Sequence, residues 1–171
     1  MDRASGVATI VVMGVSGSGK TTVAVALSKA LDAEYLDADW LHPTSNVFKM
    51  SHGVALDDDD RLPWLTAVGR SIQVADSRGR SSVTACSALK RSYRDILRFF
   101  VADIFFVYLH GTIEQIGTRL EARRHGFLPI SLLPSQFAIL EPLQADERGV
   151  ALDVSLTPDD IVGRVLEQIG R

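Results

Sequence analysis

Apolar residues along the chain fall into two alternating kinds of run. Short stretches rich in β-branched residues, Ala8 to Met13, Glu34 to Asp37, Ser82 to Cys86, Ile104 to Leu109 and Val150 to Asp153, read as strands. Between them the apolar positions recur at helical spacing: Val23, Leu27, Ala30 and Leu31, then Leu65, Val68, Ile72 and Ala75, then Ile113, Ile116 and Leu120. A last helix is expected from Thr157-Pro158-Asp159-Asp160, a capping box with proline at the first helical position, continuing through Ile161, Val165 and Ile169. Strands alternating with helices are the sequence form of a parallel sheet covered on both faces. The expected fold is therefore α/β with a parallel five-stranded sheet, each strand buried and central.

At 171 residues the chain suits a single domain, spanning 1–171 without repeat or linker. Its apolar runs are far shorter than the roughly 18 residues a membrane span needs. The first residues lead directly into a strand pattern and leave no room for a secretory signal, so a soluble, cytoplasmic protein is expected. The lone Cys86 cannot form an internal disulfide, which agrees with a reducing compartment. A net charge of −3 provides no basic face for nucleic acid.

The chemistry starts at Gly14-Val15-Ser16-Gly17-Ser18-Gly19-Lys20-Thr21, a complete G-x-x-x-x-G-K-[ST] between a strand and a helix. The glycines let successive N–H groups turn inward on phosphate oxygens, and the helix start adds its dipole. Lys20 can reach the β and γ phosphates, and the Thr21 hydroxyl can join a magnesium shell. The nucleotide-binding set is thus Gly14, Val15, Ser16, Gly17, Ser18, Gly19, Lys20, Thr21 and Thr22.

Asp37 and Asp39 lie two residues apart at the end of the second strand, where ligands of open α/β sheets bind. Asp37 can hold a water of a magnesium shell and Asp39 can orient or deprotonate an attacking hydroxyl; both also suit a turn or helix cap ahead of His42-Pro43. The run Asp57 to Asp60 precedes a helix, complements its dipole, and calls for a nearby cation such as Arg61 or a metal. After the third strand, Lys90 and Arg94 stand four residues apart, able to hold an anionic group. Arg119, Arg123 and Arg124 lead into His125-Gly126-Phe127-Leu128-Pro129, which reads as a basic lid over roughly 124–135 that excludes water and neutralises charge on a transferring phosphoryl.

Several of these stretches together resemble the gluconate kinases, a family of small P-loop sugar-acid kinases. They are Met13 to Thr21, Leu36 to Pro43, Asn46 with Lys49-Met50, Leu56 to Trp64, Cys86 to Arg94 and Ser135-Gln136-Phe137. The resemblance implies a three-layer fold like that of the nucleoside monophosphate kinases, with a lid, and transfer of the γ phosphoryl of ATP, with Mg2+, to the C6 hydroxyl of D-gluconate. By motif position it marks Asp39, His42, Lys49, Arg61, Lys90 and Arg94 as gluconate-side residues and Arg119 and Arg123 as lid arginines. Lys20, Asp39, Arg119 and Arg123 form the expected catalytic set, and Thr21 with Asp37 the metal set, because the strand Ser82 to Cys86 lacks the acidic residue that would otherwise serve the metal. Family habit implies a homodimer. At His125-Gly126 the chain reverses the family's order of glycine before histidine, and no role is assigned to His125. Two alternatives stay open: a same-fold kinase for shikimate or another sugar acid, and a nucleotide-dependent regulatory switch, for which Asp76-Ser77-Arg78-Gly79 matches the short D-x-x-G of GTPases.

Overall fold

The structure is a computed structural model that describes residues 6–122 and 129–171. Strands β1 (Thr9–Met13), β2 (Glu34–Asp37), β3 (Ser82–Ala85), β4 (Phe105–His110) and β5 (Gly149–Asp153) form one sheet in the order β2-β3-β1-β4-β5. Every neighbouring pair is parallel. The five expected strands are all present, within a residue of where the pattern put them.

β1 and β3 meet the expectation of a strand buried throughout, every residue of each being buried, and β1 stands at the centre of the sheet. β2 and β5 are the edges and are half-exposed. An open sheet needs two edges, and Glu34, Asp37 and Asp153 are polar groups that tolerate water there.

Helices fill the crossovers: α1 (Lys20–Ala30), α2 (Thr44–Ser51), α3 (Asp58–Ser77), α4 (Arg91–Phe100), α5 (Ile113–Glu121), α6 (Leu133–Ile139) and α7 (Pro158–Gln168). α1 packs against α7, and α3 against α4. Right-handed crossovers put the two pairs on opposite faces of the sheet, giving three layers. Ile10 to Met13, Leu27, Leu65, Val68, Leu97, Phe106 and Val107 are among the fully enclosed side chains of the core.

Two helix starts differ from the pattern's reading. α3 begins at Asp58 and takes the acidic run as its first turn, because Asp57 accepts from the Asp60 N–H at 2.8 Å while Asp60 accepts from the Asp57 N–H at 3.1 Å. Pro63 consequently falls inside the helix, where it cannot donate to the carbonyl four residues back. At α7, Thr157 caps as expected, accepting from the Asp160 N–H at 3.2 Å, but its hydroxyl donates to the Asp160 carboxylate at 2.7 Å in place of the return bond of a capping box.

This sheet order gathers the expected site. The carboxyl ends of β1, β3 and β2 lie side by side, with Val12 opposite Ala85 and Ala85 opposite Asp37. Asp76 is at the other end: its carboxylate receives the hydroxyl of Thr9, the first residue of β1, at 3.4 Å. The D-x-x-G segment is thus a strand's length away from the phosphate loop, which removes the basis for a switch reading.

Candidate active site

Between β1 and α1 the chain turns through three glycines with positive φ, at 144° for Gly14, 83° for Gly17 and 96° for Gly19. Side chains at the first two would collide: a Cβ on Gly14 would lie 2.7 Å from the Leu109 carbonyl oxygen, and one on Gly17 2.5 Å from Leu120. The Gly14 N–H donates to the Ser87 carbonyl at 3.2 Å, tying the loop to the end of β3. Lys20 folds back so that Nζ donates to the Val15 carbonyl at 3.0 Å. Ser18 Oγ is buried in the same turn with no hydrogen-bond partner among the described residues. A loop of inward backbone donors at a helix start, closed by a lysine, is built for an anion.

Asp37 does two jobs. Its Oδ1 accepts from the Asp39 N–H at 3.0 Å, capping a 3₁₀ turn at Ala38–Leu41, and its Oδ2 lies 3.5 Å from the Thr21 hydroxyl and 3.2 Å from the Tyr35 hydroxyl. Burial and the Asp37 charge push the Tyr35 phenol up to about 12, so it stays a donor. A threonine hydroxyl and a carboxylate meeting at the loop's exit are two hard oxygen donors of the kind Mg2+ prefers. Among the described residues there is no cluster of three or more histidine, cysteine or acidic groups able to hold a metal ion.

A narrow cleft joins Lys20, Asp39, His42 and Arg61, with Ser16, Ser87 and Gln136 on its walls. Packing raises the Asp39 pKa, the Lys20 cation opposes this, and the Asp37 carboxylate adds to it. His42 stacks on Trp64 with ring centres 4.1 Å apart, and Trp64 donates its indole N–H to the Ala38 carbonyl at 2.7 Å. Burial and the nearby Arg61 cation hold the His42 pKa down at about 4. The ring is therefore neutral, and Asn46 Nδ2, 3.3 Å from His42 Nδ1, assigns that nitrogen as acceptor. Nε2 then carries the proton, 3.9 Å from the Asp39 carboxylate.

The remaining basic residues divide. Arg61 is buried beneath the cleft, where its guanidinium donates to the Leu56 carbonyl and to the Tyr93 hydroxyl. Lys49 is held by both oxygens of Asp60 at 2.7 and 2.8 Å, and Lys90 by both oxygens of Asp58 at 2.8 and 3.0 Å. The cations serving the acidic run are therefore these two lysines. Asp58, Arg61 and Lys90 also line an adjoining groove of about 380 Å³.

Arg94 departs from the expectation of a substrate ligand. It is entirely buried; Nε and Nη2 bind Glu147 at 2.7 and 2.8 Å, and Nη1 reaches the carbonyls of Ala88, Leu89 and Glu141. With every donor engaged, it fastens α4 to the segment entering β5. Cys86 is buried too, and burial pushes its thiol up to about 12, which leaves it inert. Arg119 binds the Val154 carbonyl and stays by the phosphate loop, with Nη1 4.0 Å from where a Gly19 Cβ would stand. Arg123, His125 and the lid residues up to 128 lie outside the described residues; the described part, 129–135, forms a 3₁₀ turn and the start of α6.

Gln136 and Ser87 are site residues that motif position did not mark. Gln136 Oε1 accepts from the Ser16 N–H at 2.6 Å, across 120 residues of chain. Only the stretch Ser135-Gln136-Phe137 pointed to it, and a short helix carries no periodicity that would place it beside Ser16.

Comparison with known proteins agrees with this arrangement. The Shikimate kinase family model matches residues 16–132. The thermoresistant gluconokinase of Escherichia coli (strain K12) is 41% identical, over 93% of this chain and 91% of its own length. Among solved structures, a gluconokinase from Sinorhizobium meliloti 1021 superposes with a TM-score of 0.87 at 43% identity, covering 97% of this chain and 93% of its own. An unliganded sugar kinase from Janibacter sp. HTCC2649 superposes with a TM-score of 0.92 at 40% identity, covering 96% and 95%.

Proposed function

The chain belongs to the gluconokinase family, and from that premise we propose that it transfers the γ phosphoryl group of ATP to the C6 hydroxyl of D-gluconate, giving 6-phospho-D-gluconate by direct in-line displacement. The observation that carries the reading is the cleft in which the phosphate-loop Lys20 and the Asp39 carboxylate face one space. One is the cation for the donor's phosphates and the other the acceptor of a hydroxyl proton. No covalent intermediate is called for, and catalysis rests on alignment and charge.

In this reading the loop and helix start from Gly14 to Thr22 hold the phosphates, through N–H groups other than those that Gly14, Ser16 and Ser18 donate within the protein, and Lys20 neutralises the charge that develops on the transferred group. Asp39 orients the C6 hydroxyl and takes its proton, a task that its raised pKa suits. His42, neutral and fixed on Trp64, donates Nε2–H to the acceptor, Arg61 is the cation beneath it, and Lys90 and Lys49, each paired with a carboxylate in Asp58 and Asp60, are the further acceptor-side cations. Thr21 and Asp37 would hold Mg2+, which would supply positive charge to offset that of the phosphates. Arg119, by Gly19, completes the charge stabilisation together with Arg123.

Relatives at about this level of identity carry the name gluconokinase, so shikimate as acceptor is not favoured despite the broader family model. No helix among the described residues is long and apolar enough to cross a membrane. A cytoplasmic homodimer completes the proposal, and sedimentation gives the mass that checks the dimer. A coupled ADP-release assay with ATP and magnesium decides the reaction. Turnover with D-gluconate and little with shikimate or adenosine monophosphate is expected; ATP hydrolysis independent of gluconate would overturn the reading.

A further inference from the structure

Gln136 occupies the boundary between the two halves of the site. It lies on α6, next to the proposed lid, and its side chain lines the cleft of Lys20, Asp39, His42 and Arg61. Its side chain accepts a hydrogen bond from the backbone N–H of Ser16 in the phosphate loop, at 2.6 Å. A backbone N–H is a donor, so the carboxamide must present oxygen to it. That settles the orientation of the amide: both Nε2 protons are turned away from Ser16 and have no partner among the described residues.

The surroundings define what those protons fit. The cleft already has cations in Lys20 and Arg61 and an anion in Asp39. A neutral, fixed amide donor adds nothing for a phosphate or carboxylate that these cations do not offer better. It complements a hydroxyl oxygen, and a donor aimed at a particular hydroxyl discriminates strongly against compounds lacking it. We propose that Gln136 is a specificity-determining residue, held in orientation by the Ser16 N–H, whose Nε2 donates to a hydroxyl oxygen of the polyhydroxy acid acceptor. This rests on the gluconokinase reading above. It also makes the acceptor site depend on the phosphate loop, since the group that orients Gln136 belongs to the loop itself.

Two substitutions separate recognition from support of the loop. Gln136→Ala removes both contacts; Gln136→Glu keeps an oxygen for the Ser16 N–H and the side chain's size, but has no donor. Both should raise the KM for gluconate about five- to tenfold, the effect of one lost hydrogen bond, while the KM for ATP stays within twofold. Deoxygluconates give the second readout: the analogue lacking the contacted hydroxyl should be a poor substrate for wild type and lose no further efficiency in Gln136→Ala. An unchanged gluconate KM in Gln136→Glu, or an equal rise for ATP, overturns the proposal. Thermal unfolding and ATP calorimetry check that the variants are folded. For the unmodified protein, the assigned Nε2 proton resonances of Gln136 should shift on adding gluconate, and resonances that stay still also overturn it. Wild-type turnover of gluconate tests the functional reading, and the ratio of variant to wild type tests the residue.

Discussion

Arg94 and Glu147 face each other as a two-pronged ion pair, with Nε to Oε1 at 2.7 Å and Nη2 to Oε2 at 2.8 Å, and neither side chain is accessible to solvent. Burial alone would raise the Glu147 pKa, but hydrogen bonds from Arg94, the Gln144 N–H and Arg98 hold it at about 2. Removing one partner leaves an uncompensated buried charge, so Glu147→Gln or Arg94→Ala should cost about 3–5 kcal/mol. Urea unfolding measures this. Were Arg94 a gluconate ligand, Arg94→Lys would instead raise the gluconate KM at unchanged stability.

Asp39→Asn should leave ATP binding intact and lower kcat by about a hundredfold or more, the range for loss of a general base. Calorimetry with ATP and steady-state turnover together check it. Full turnover in the variant would remove Asp39 from the proton's path.

Lys20→Ala should abolish turnover or nucleotide affinity, because the loop's amides alone must then carry the charge of the phosphates. Calorimetry showing wild-type ATP affinity together with full activity would refute the phosphate-loop assignment.

His42 makes stability depend on pH with a definite sign. Its pKa is about 4 in the fold against an ordinary 6.5, so between these values the unfolded chain takes up the proton and the folded chain does not. The stabilisation is complete above 6.5 and is lost progressively as pH falls to about 4, amounting to on the order of 3 kcal/mol. Asp39, whose pKa is raised, acts in the opposite sense, and Glu147 contributes a further loss only below its ordinary 4.5. The difference between wild type and His42→Phe, which keeps the stack on Trp64, isolates the histidine. Parallel stability curves for the two between pH 4 and 6.5 would exclude it.

The central strand and the phosphate loop were legible because each rests on local chemistry: an apolar run long enough to be buried, and glycines at positions where a Cβ would strike Leu109 or Leu120. Asp39 and His42 could be placed because they follow a strand whose end the fold brings to that loop. Arg94 was misread for a physical reason. Four-residue spacing from Lys90 says that two cations share a helix face, not whether a carboxylate 53 residues later will meet one of them in the core. Gln136 was hidden for the converse reason: its contact spans 120 residues and leaves no local trace. The edge character of β2 and β5 likewise follows from strand order, which no single segment encodes.

The strand order also has a kinetic side. β1 pairs with β3, some 70 residues on, before it can neighbour anything closer in sequence, and β2 joins the sheet only through β3. The Gly14 N–H reaches its Ser87 partner, and Asp37 its place beside Thr21, when these separated pieces have met. No fragment ending before β3 can therefore assemble the nucleotide site. A nascent chain gains the ability to be rescued by ATP late, and a refolding experiment with nucleotide present should speed nothing before that pairing while slowing the reverse unfolding afterwards.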